Sequence, residues 1–351
     1  MTESETIAES RLREITRSIF AAAGASPENA ARVAAALVGS NLAGHDSHGV
    51  IRIPEYVAAM RSGELVPDAS PEVAHETPVS AVVNGNWTFG QVSAAFATRL
   101  AVRKARESLL AAVGIVRCHH TGRIGEYAEM AAAEGIILIV MGGGLGNTRP
   151  LAAPHGGRRA VLGANPIALG FPTDGARPPV IVDFATTVIA GGKIQVARAA
   201  GTRLPTGAIL DRDGRPSTDP NDFYNGGVIL PFGGHKGYAL ALSVELLTAA
   251  LIAPGIWAEE GHGGPVFGPS GHFLLAISPA VFGARDEYLR VVEETLARIK
   301  AVPPAAGFTE VQIPGEPEAQ ERERRSRDGI PIAPATWQAI TSTAADLGVA
   351  T

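Results

Sequence analysis

Apolar residues recur along this chain with two periods, and the change from one to the other falls near residue 80. Before it the spacing is helical. Three stretches carry that spacing: residues 3–23, a run that opens at Ser26-Pro27-Glu28 and continues through ENAARVAAALVGSNLAG, and Pro54 to Ser62. Ser26 is placed as an N-cap, its hydroxyl accepting an otherwise orphaned N–H, and Pro27 suits the first helical position because proline has no N–H to lose. Gly24, Gly44 and Gly63 supply stops, since glycine enters the left-handed conformation of a helix end without a Cβ penalty. The segment GHDSHG, residues 44–49, is thereby predicted to be the loop between the second and third helices. Residues 65–80, LVPDASPEVAHETPVS, are proline-rich and without a period, which predicts a boundary.

Beyond it, short apolar runs alternate with helical ones. Strand-like SAVVNG precedes a helix over Gln91 to Ser108, and AAVGIVRC precedes one over Gly125 to Glu134. The strands IILIVM and VIVDFA follow, then a long helix from Lys236. The last part predicts a strand GHFLLAIS, a helix EYLRVVEETLARIK, a strand EVQI and two helices in QERERRSRDG and TWQAITSTAADLG. The fold class is α/β, opened by a helical unit, and no internal repeat is visible.

Composition narrows the function. With 351 residues the chain can bury a sizeable core, and its net charge of -5 gives no electrostatic reason to expect nucleic acid. Cys118 is the single cysteine, which excludes an internal disulfide framework and a cysteine-rich zinc site and fits a reducing, cytoplasmic setting. The acidic, amphipathic start is no signal peptide, and Tyr238 to Pro254, the most apolar long segment, carries Glu245 and falls short of the roughly 20 residues that span a bilayer.

The stretch IILIVMGGGLGNTRP invites comparison with the glycine-rich turn of doubly wound dinucleotide folds. It fails where Asn147 stands in place of the last glycine, and again where Pro150 and Pro154 interrupt the helix that should follow. Without that helix there is no N-terminal dipole to hold a pyrophosphate.

The histidines cluster instead. His45 and His48 share the first loop, and His119 and His120 follow a buried strand in RCHHTGRIGEY. A general acid or base needs a histidine, a group to orient it and a cation to hold an anionic substrate. GHDSHGVIR supplies His48 or His45, Ser47 or Asp46, and Arg52, whose planar fork grips a carboxylate; a helical turn would put His48 and Arg52 on one face. His45, Asp46, His48 and His120 also have the residue types of a metal site, although their spacing matches no helical metal motif.

Taken together, GHDSHGVIRIPEY, the HHTGRIGEYAE segment, GANPIALGFPT, VDFATT, HKGYALA and the PGE of residues 314–316 resemble the malate/L-lactate dehydrogenase family, in order and from about residue 5 onward. Within it the details are most similar to the hydroxycarboxylate dehydrogenase B type, which reduces 2-oxo acids. Ala164 and His119 depart from the family's threonine and asparagine at those positions. The resemblance implies a non-Rossmann NAD(P)-binding fold, with a helical domain of residues 1–75 plus about 317–351 and a cofactor-binding and dimerisation region of residues 76–316. It implies hydride transfer between NAD or NADP and a small 2-oxo or 2-hydroxy acid, in a homodimer. His48 and His120 are competing candidates for the proton donor, Ser47 accompanies them, and Arg52 matches the substrate carboxylate position. The cofactor positions carry over to His120, Thr121, Gly122, Thr148, Asp183, Phe184, Ala185, Thr186, Thr187, His235, Lys236, Gly315 and Glu316, with no metal. Arg123, Tyr127 and Trp257 are candidates to shape the pocket. A reductase of cyclic imines carrying a 2-carboxylate, such as piperideine-2-carboxylate, would use the same arginine, and a metal-dependent hydrolase is the reading outside the family.

Overall fold

The computed structural model describes residues 5–144, 150–252 and 270–351. The chain opens with a short strand β1 (Glu5–Ile7), then helices α1 (Glu9–Ala22), α2 (Pro27–Leu42) and α3 (Ile53–Arg61). Ser26 caps α2 as its sequence predicts, accepting from the Asn29 N–H at 3.2 Å. The helical reading of residues 3–23 is corrected at its start, where Glu5–Ile7 pairs as a strand.

Strand β2 (Glu72–Thr77) lies within the stretch read as unpatterned, because every one of its residues is exposed and no apolar alternation betrays it. It is followed by β3 (Ser80–Asn84), α4 (Gly90–Ser108), β4 (Leu110–Cys118), α5 (Gly125–Ala133), β5 (Ile137–Gly143), β6 (Ile167–Phe171) and β7 (Val180–Phe184). Next come α6 (Gly191–Ala200), β8 (Ile209–Leu210), β9 (Pro216–Ser217), α7 (Pro220–Tyr224), β10 (Val228–Ile229) and α8 (His235–Glu245), whose last residue runs into a π-helical turn at Leu246–Ala250. The remainder is β11 (Ser270–Ile277), α9 (Arg285–Lys300), α10 (Glu316–Asp328), β12 (Ile330–Ile332) and α11 (Pro334–Asp346). EVQI, residues 310–313, forms no strand: the Ile313 N–H is taken by the Glu316 carboxylate at 2.8 Å rather than by a sheet neighbour.

Seven strands form one mixed sheet in the order β2-β3-β4-β11-β5-β6-β7. Only β3 and β4 run parallel; every other neighbouring pair in this sheet is antiparallel. Apolar residues of β3, β4, β5 and β11 alternate toward α4 and α5 and form one core around Val113, Ile115, Leu138, Leu274 and Tyr127. A second core gathers Leu12, Ile19, Phe20, Leu37, Tyr56 and Phe89 with Ile330, Ile332, Ile340 and Ala344, so the end of the chain packs among the first three helices. A three-stranded sheet, β10-β8-β9, packs with α6 over a small separate core. Among the described residues no helix is long and apolar enough to cross a membrane.

Candidate active site

The loop after α2 is built by Asn41. Its Oδ1 accepts from the Val50 N–H at 2.8 Å and its Nδ2 donates to Asp46 at 2.6 Å. Gly49 lies against this amide, where a Cβ would come within 2.2 Å of Asn41 Oδ1, so only glycine fits. The chain therefore makes two separate 3-10 turns, Asp46–His48 and Val50–Arg52, in place of one helical face joining His48 to Arg52. Arg52 returns to the loop another way: its Nε donates to the Ser47 carbonyl at 2.8 Å and its Nη1 to Glu55 at 2.8 Å.

The two histidine pairs meet here in part. The His48 and His120 rings stack with centroids 5.5 Å apart and planes 15° apart. Ser47 Oγ lies 3.2 Å from His48 Nδ1, and Tyr56 of α3 reaches His120 Nδ1 at 2.8 Å while accepting from Gln91 of α4 at 2.7 Å. His119 faces elsewhere, with Nε2 2.7 Å from the Glu64 carbonyl and its ring beside Trp87. Burial pushes His48 down to about 4, helped by the charges of Arg52 and Arg123 and by the neighbouring His45. His120 is driven well below its ordinary range, chiefly by burial and then by Arg52, His48 and His272. Both rings are neutral near pH 7 in the free protein.

Asp46, the carboxylate of the metal alternative, accepts from Arg325 of α10 at 2.6 and 3.2 Å as well as from Asn41. His45 Nε2 lies 3.4 Å from Glu318. Among the described residues, no group of three histidine, cysteine, aspartate or glutamate side chains is placed to hold a metal ion, and His45, Asp46, His48 and His120 form none.

The residues matched to cofactor positions lie on several elements. His120, Thr121 and Gly122 form the turn after β4; Thr121 Oγ1 lies 3.0 Å from His272 Nε2, its carbonyl accepts from Tyr127, and Gly122 has φ +75°. Asp183, at the end of β7, accepts from the Gly125 N–H at 2.8 Å at the start of α5 and lies 3.8 Å from Arg123, which also binds Glu129. Burial raises its carboxyl despite these partners. Phe184 is exposed beside Phe232, Ala185 follows it, Thr186 donates to the Ala164 carbonyl, and Thr187 to that of Ile189. His235 and Lys236 are exposed at the N-terminus of α8, with the His235 ring near His155. Beside them opens a cavity of about 530 Å³ lined by His155, Arg158, Asp213, the apolar Leu210 and Leu230, and several glycines including Gly233 and Gly234. Gly315 has φ +98° against Ile181, and Glu316 is held by Lys300, two residues before the Glu318 that faces His45. Thr148 and Trp257 lie outside the described residues.

Three residues at the site carry no sequence signal of their own. Tyr56 stands in the quoted loop motif, one turn past Arg52, whereas Gln91 and His272 arrive from α4 and β11 through tertiary packing. Gly192, at the start of α6, also comes close: a Cβ there would meet Ser47 Cβ at 3.3 Å.

The sequence profile of the malate/L-lactate dehydrogenase family matches residues 7–341. The chain is 35% identical over 338 residues to L-sulfolactate dehydrogenase of Methanothermobacter thermautotrophicus, covering 96% of this chain and 95% of that one. It is 34% identical over 341 residues to hydroxycarboxylate dehydrogenase B of Escherichia coli, covering 96% and 93%. Among solved structures, that of delta1-piperideine-2-carboxylate reductase from Pseudomonas syringae pvar. tomato superposes with a TM-score of 0.85 at 31% identity, covering 97% of this chain and all of that one.

Proposed function

The chain belongs to the malate/L-lactate dehydrogenase family and is an oxidoreductase of the 2-hydroxy acid type, and from that premise we propose that it interconverts 2-oxo and 2-hydroxy acids with NAD or NADP as a cytoplasmic homodimer. The observation that carries the reading is the stacked His48–His120 pair within one loop of an arginine. When bound, the nicotinamide gives or takes the hydride at C2 of the substrate. The residues fit such a group. The turn at Gly122 lets a ligand approach the backbone, and the exposed His235 and Lys236 at the N-terminus of α8 supply N–H groups and a cation for its phosphates.

Arg52 has Nη2 uncommitted among the described residues and holds the substrate carboxylate with it, which sets the face of C2 that is presented. His48 is the proton donor in reduction and the acceptor in oxidation. Ser47 Oγ lies 3.2 Å from its Nδ1 and orients the ring, and the carboxylate of a bound substrate favours a proton on it. His120 has a different task. Gln91 donates to the Tyr56 oxygen and Tyr56 lies 2.8 Å from His120 Nδ1, so this chain of contacts orients the His120 ring beside His48.

The test is oxidation of NADH and of NADPH with phenylpyruvate, 2-oxoglutarate, oxaloacetate, pyruvate and piperideine-2-carboxylate. Turnover of the oxo acids is expected, and turnover of the cyclic imine alone would assign the chain to imine reduction. His48→Ala is expected to lower kcat by about 10²–10⁴-fold, the range of a lost general acid. Loss of turnover in His120→Ala with near-normal His48→Ala would move the proton to His120.

A further inference from the structure

His272 is a further, buried histidine near the site, and the mechanism above does not use it. It sits on β11, the strand between β4 and β5, paired in register with Gly142 of β5 beside an irregularity in the β4 pairing. The ring is 4% exposed. Its Nε2 lies 3.0 Å from Thr121 Oγ1, and its Nδ1 has no hydrogen-bond partner among the described residues. The first glycine of the GGG run makes room for it: a Cβ on Gly142 would come within 3.0 Å of His272 Nε2.

We propose that His272 is a positioning residue that fixes the Thr121 hydroxyl so that its hydrogen points to the bound nicotinamide nucleotide. This rests on the reading of residues 120–122 as a cofactor turn. The direction of the hydrogen bond follows from the orphaned nitrogen. A buried N–H left without an acceptor is rarer in proteins than an unsatisfied acceptor, so Nδ1 is the bare nitrogen and Nε2 carries the hydrogen. Nε2–H then donates to Thr121 Oγ1, which leaves the threonine's own hydrogen free to donate to an acceptor on the ligand. Burial also keeps His272 neutral, so no charge is placed behind the turn. The Thr121 carbonyl is held independently by the Tyr127 hydroxyl at 2.5 Å, and the turn is thus fixed on both its backbone and its side chain.

Glutamine and asparagine separate this role from simple packing, because a glutamine amide nitrogen reaches the place of Nε2 and an asparagine nitrogen only that of Nδ1. NADH and NADPH binding is measured by fluorescence titration and KM by turnover, with folding checked by circular dichroism. Thr121→Val and His272→Asn are each expected to weaken nucleotide binding about ten-fold with kcat within a few-fold, the scale of one lost hydrogen bond. His272→Gln retains wild-type affinity, and the Thr121→Val/His272→Asn double variant is no weaker than Thr121→Val alone. Gly142→Ala, which displaces the ring, matches His272→Asn. In 15N-histidine NMR spectra the His272 signal, assigned by its loss in His272→Gln, reports the Nε2–H tautomer and moves in Thr121→Val. Undiminished binding by His272→Asn, multiplied losses in the double variant, or the Nδ1–H tautomer overturns the role. If the wild type binds neither nucleotide, the cofactor reading of the turn falls and this role with it; if it binds and His272→Asn binds as well, only the role falls.

Discussion

His272 and His48 hold pKa values of about 4, against an ordinary 6.5, and burial is the leading cause in both. Between those values the unfolded chain takes up protons that the folded chain refuses, so their contribution to stability is complete above about pH 6.5 and is lost as pH falls toward 4. For the fully buried His272 the loss amounts to about 3 kcal/mol. Urea midpoints measured from pH 7 to pH 4 are expected to fall less steeply in His272→Gln than in the wild type. Catalysis has the opposite sign in one direction only. With His48 as the proposed proton donor, reduction requires it protonated, so its kcat/KM is expected to drop about ten-fold per unit as pH rises above 4, while oxidation requires it neutral and is flat there. Equal pH profiles in both directions would exclude His48 as the titrating group. For Arg52→Lys, loss of the fork and of the Ser47 carbonyl contact is expected to raise the substrate KM about 10–100-fold with kcat less affected. At this scale the loop was legible, because His48, Ser47 and Arg52 are neighbours in sequence. Gln91 and His272 were not, since each lies in a largely apolar helix or strand and joins the site only through packing.

Elements were legible where one face is buried and another is not. The alternation of β5 and the Ser26-Pro27 start of α2 are examples. β2 is exposed along its whole length and EVQI has β-like composition without a sheet edge to join, so pattern misleads in opposite ways at the two. The loop geometry between α2 and α3 was hidden for a different reason: it depends on the amide of Asn41, which is 2% exposed, and on the space at Gly49. Gly49→Ala must displace that amide and break its bond to the Val50 N–H. A loss of about 2 kcal/mol is expected in denaturant melts, with a large fall in kcat/KM. Ser26→Ala, at the other end of the same helix, removes only the cap: about 1 kcal/mol of stability with unchanged kinetics.

Across the whole molecule, the first and last parts of the chain share a core and a small sheet, with Glu5 paired to Ile332 and Ile7 to Ile330. No periodicity links such distant segments, and the sequence shows their union only through the family resemblance. Arg325, buried in α10, binds the Asn41 carbonyl, Asp46 and Glu321 and so holds the histidine loop from the far end of the chain. Arg325→Ala is expected to cost about 2–3 kcal/mol and to lower kcat/KM, with a drop in Tm as the check. A ribosome delivers these pieces in order. The loop emerges early, but Arg325 follows Asp46 by 279 residues, and β12 and α11 come later still. A nascent or stalled chain thus carries His45 and His48 long before Arg325, the residue that holds their loop through Asp46, has been added.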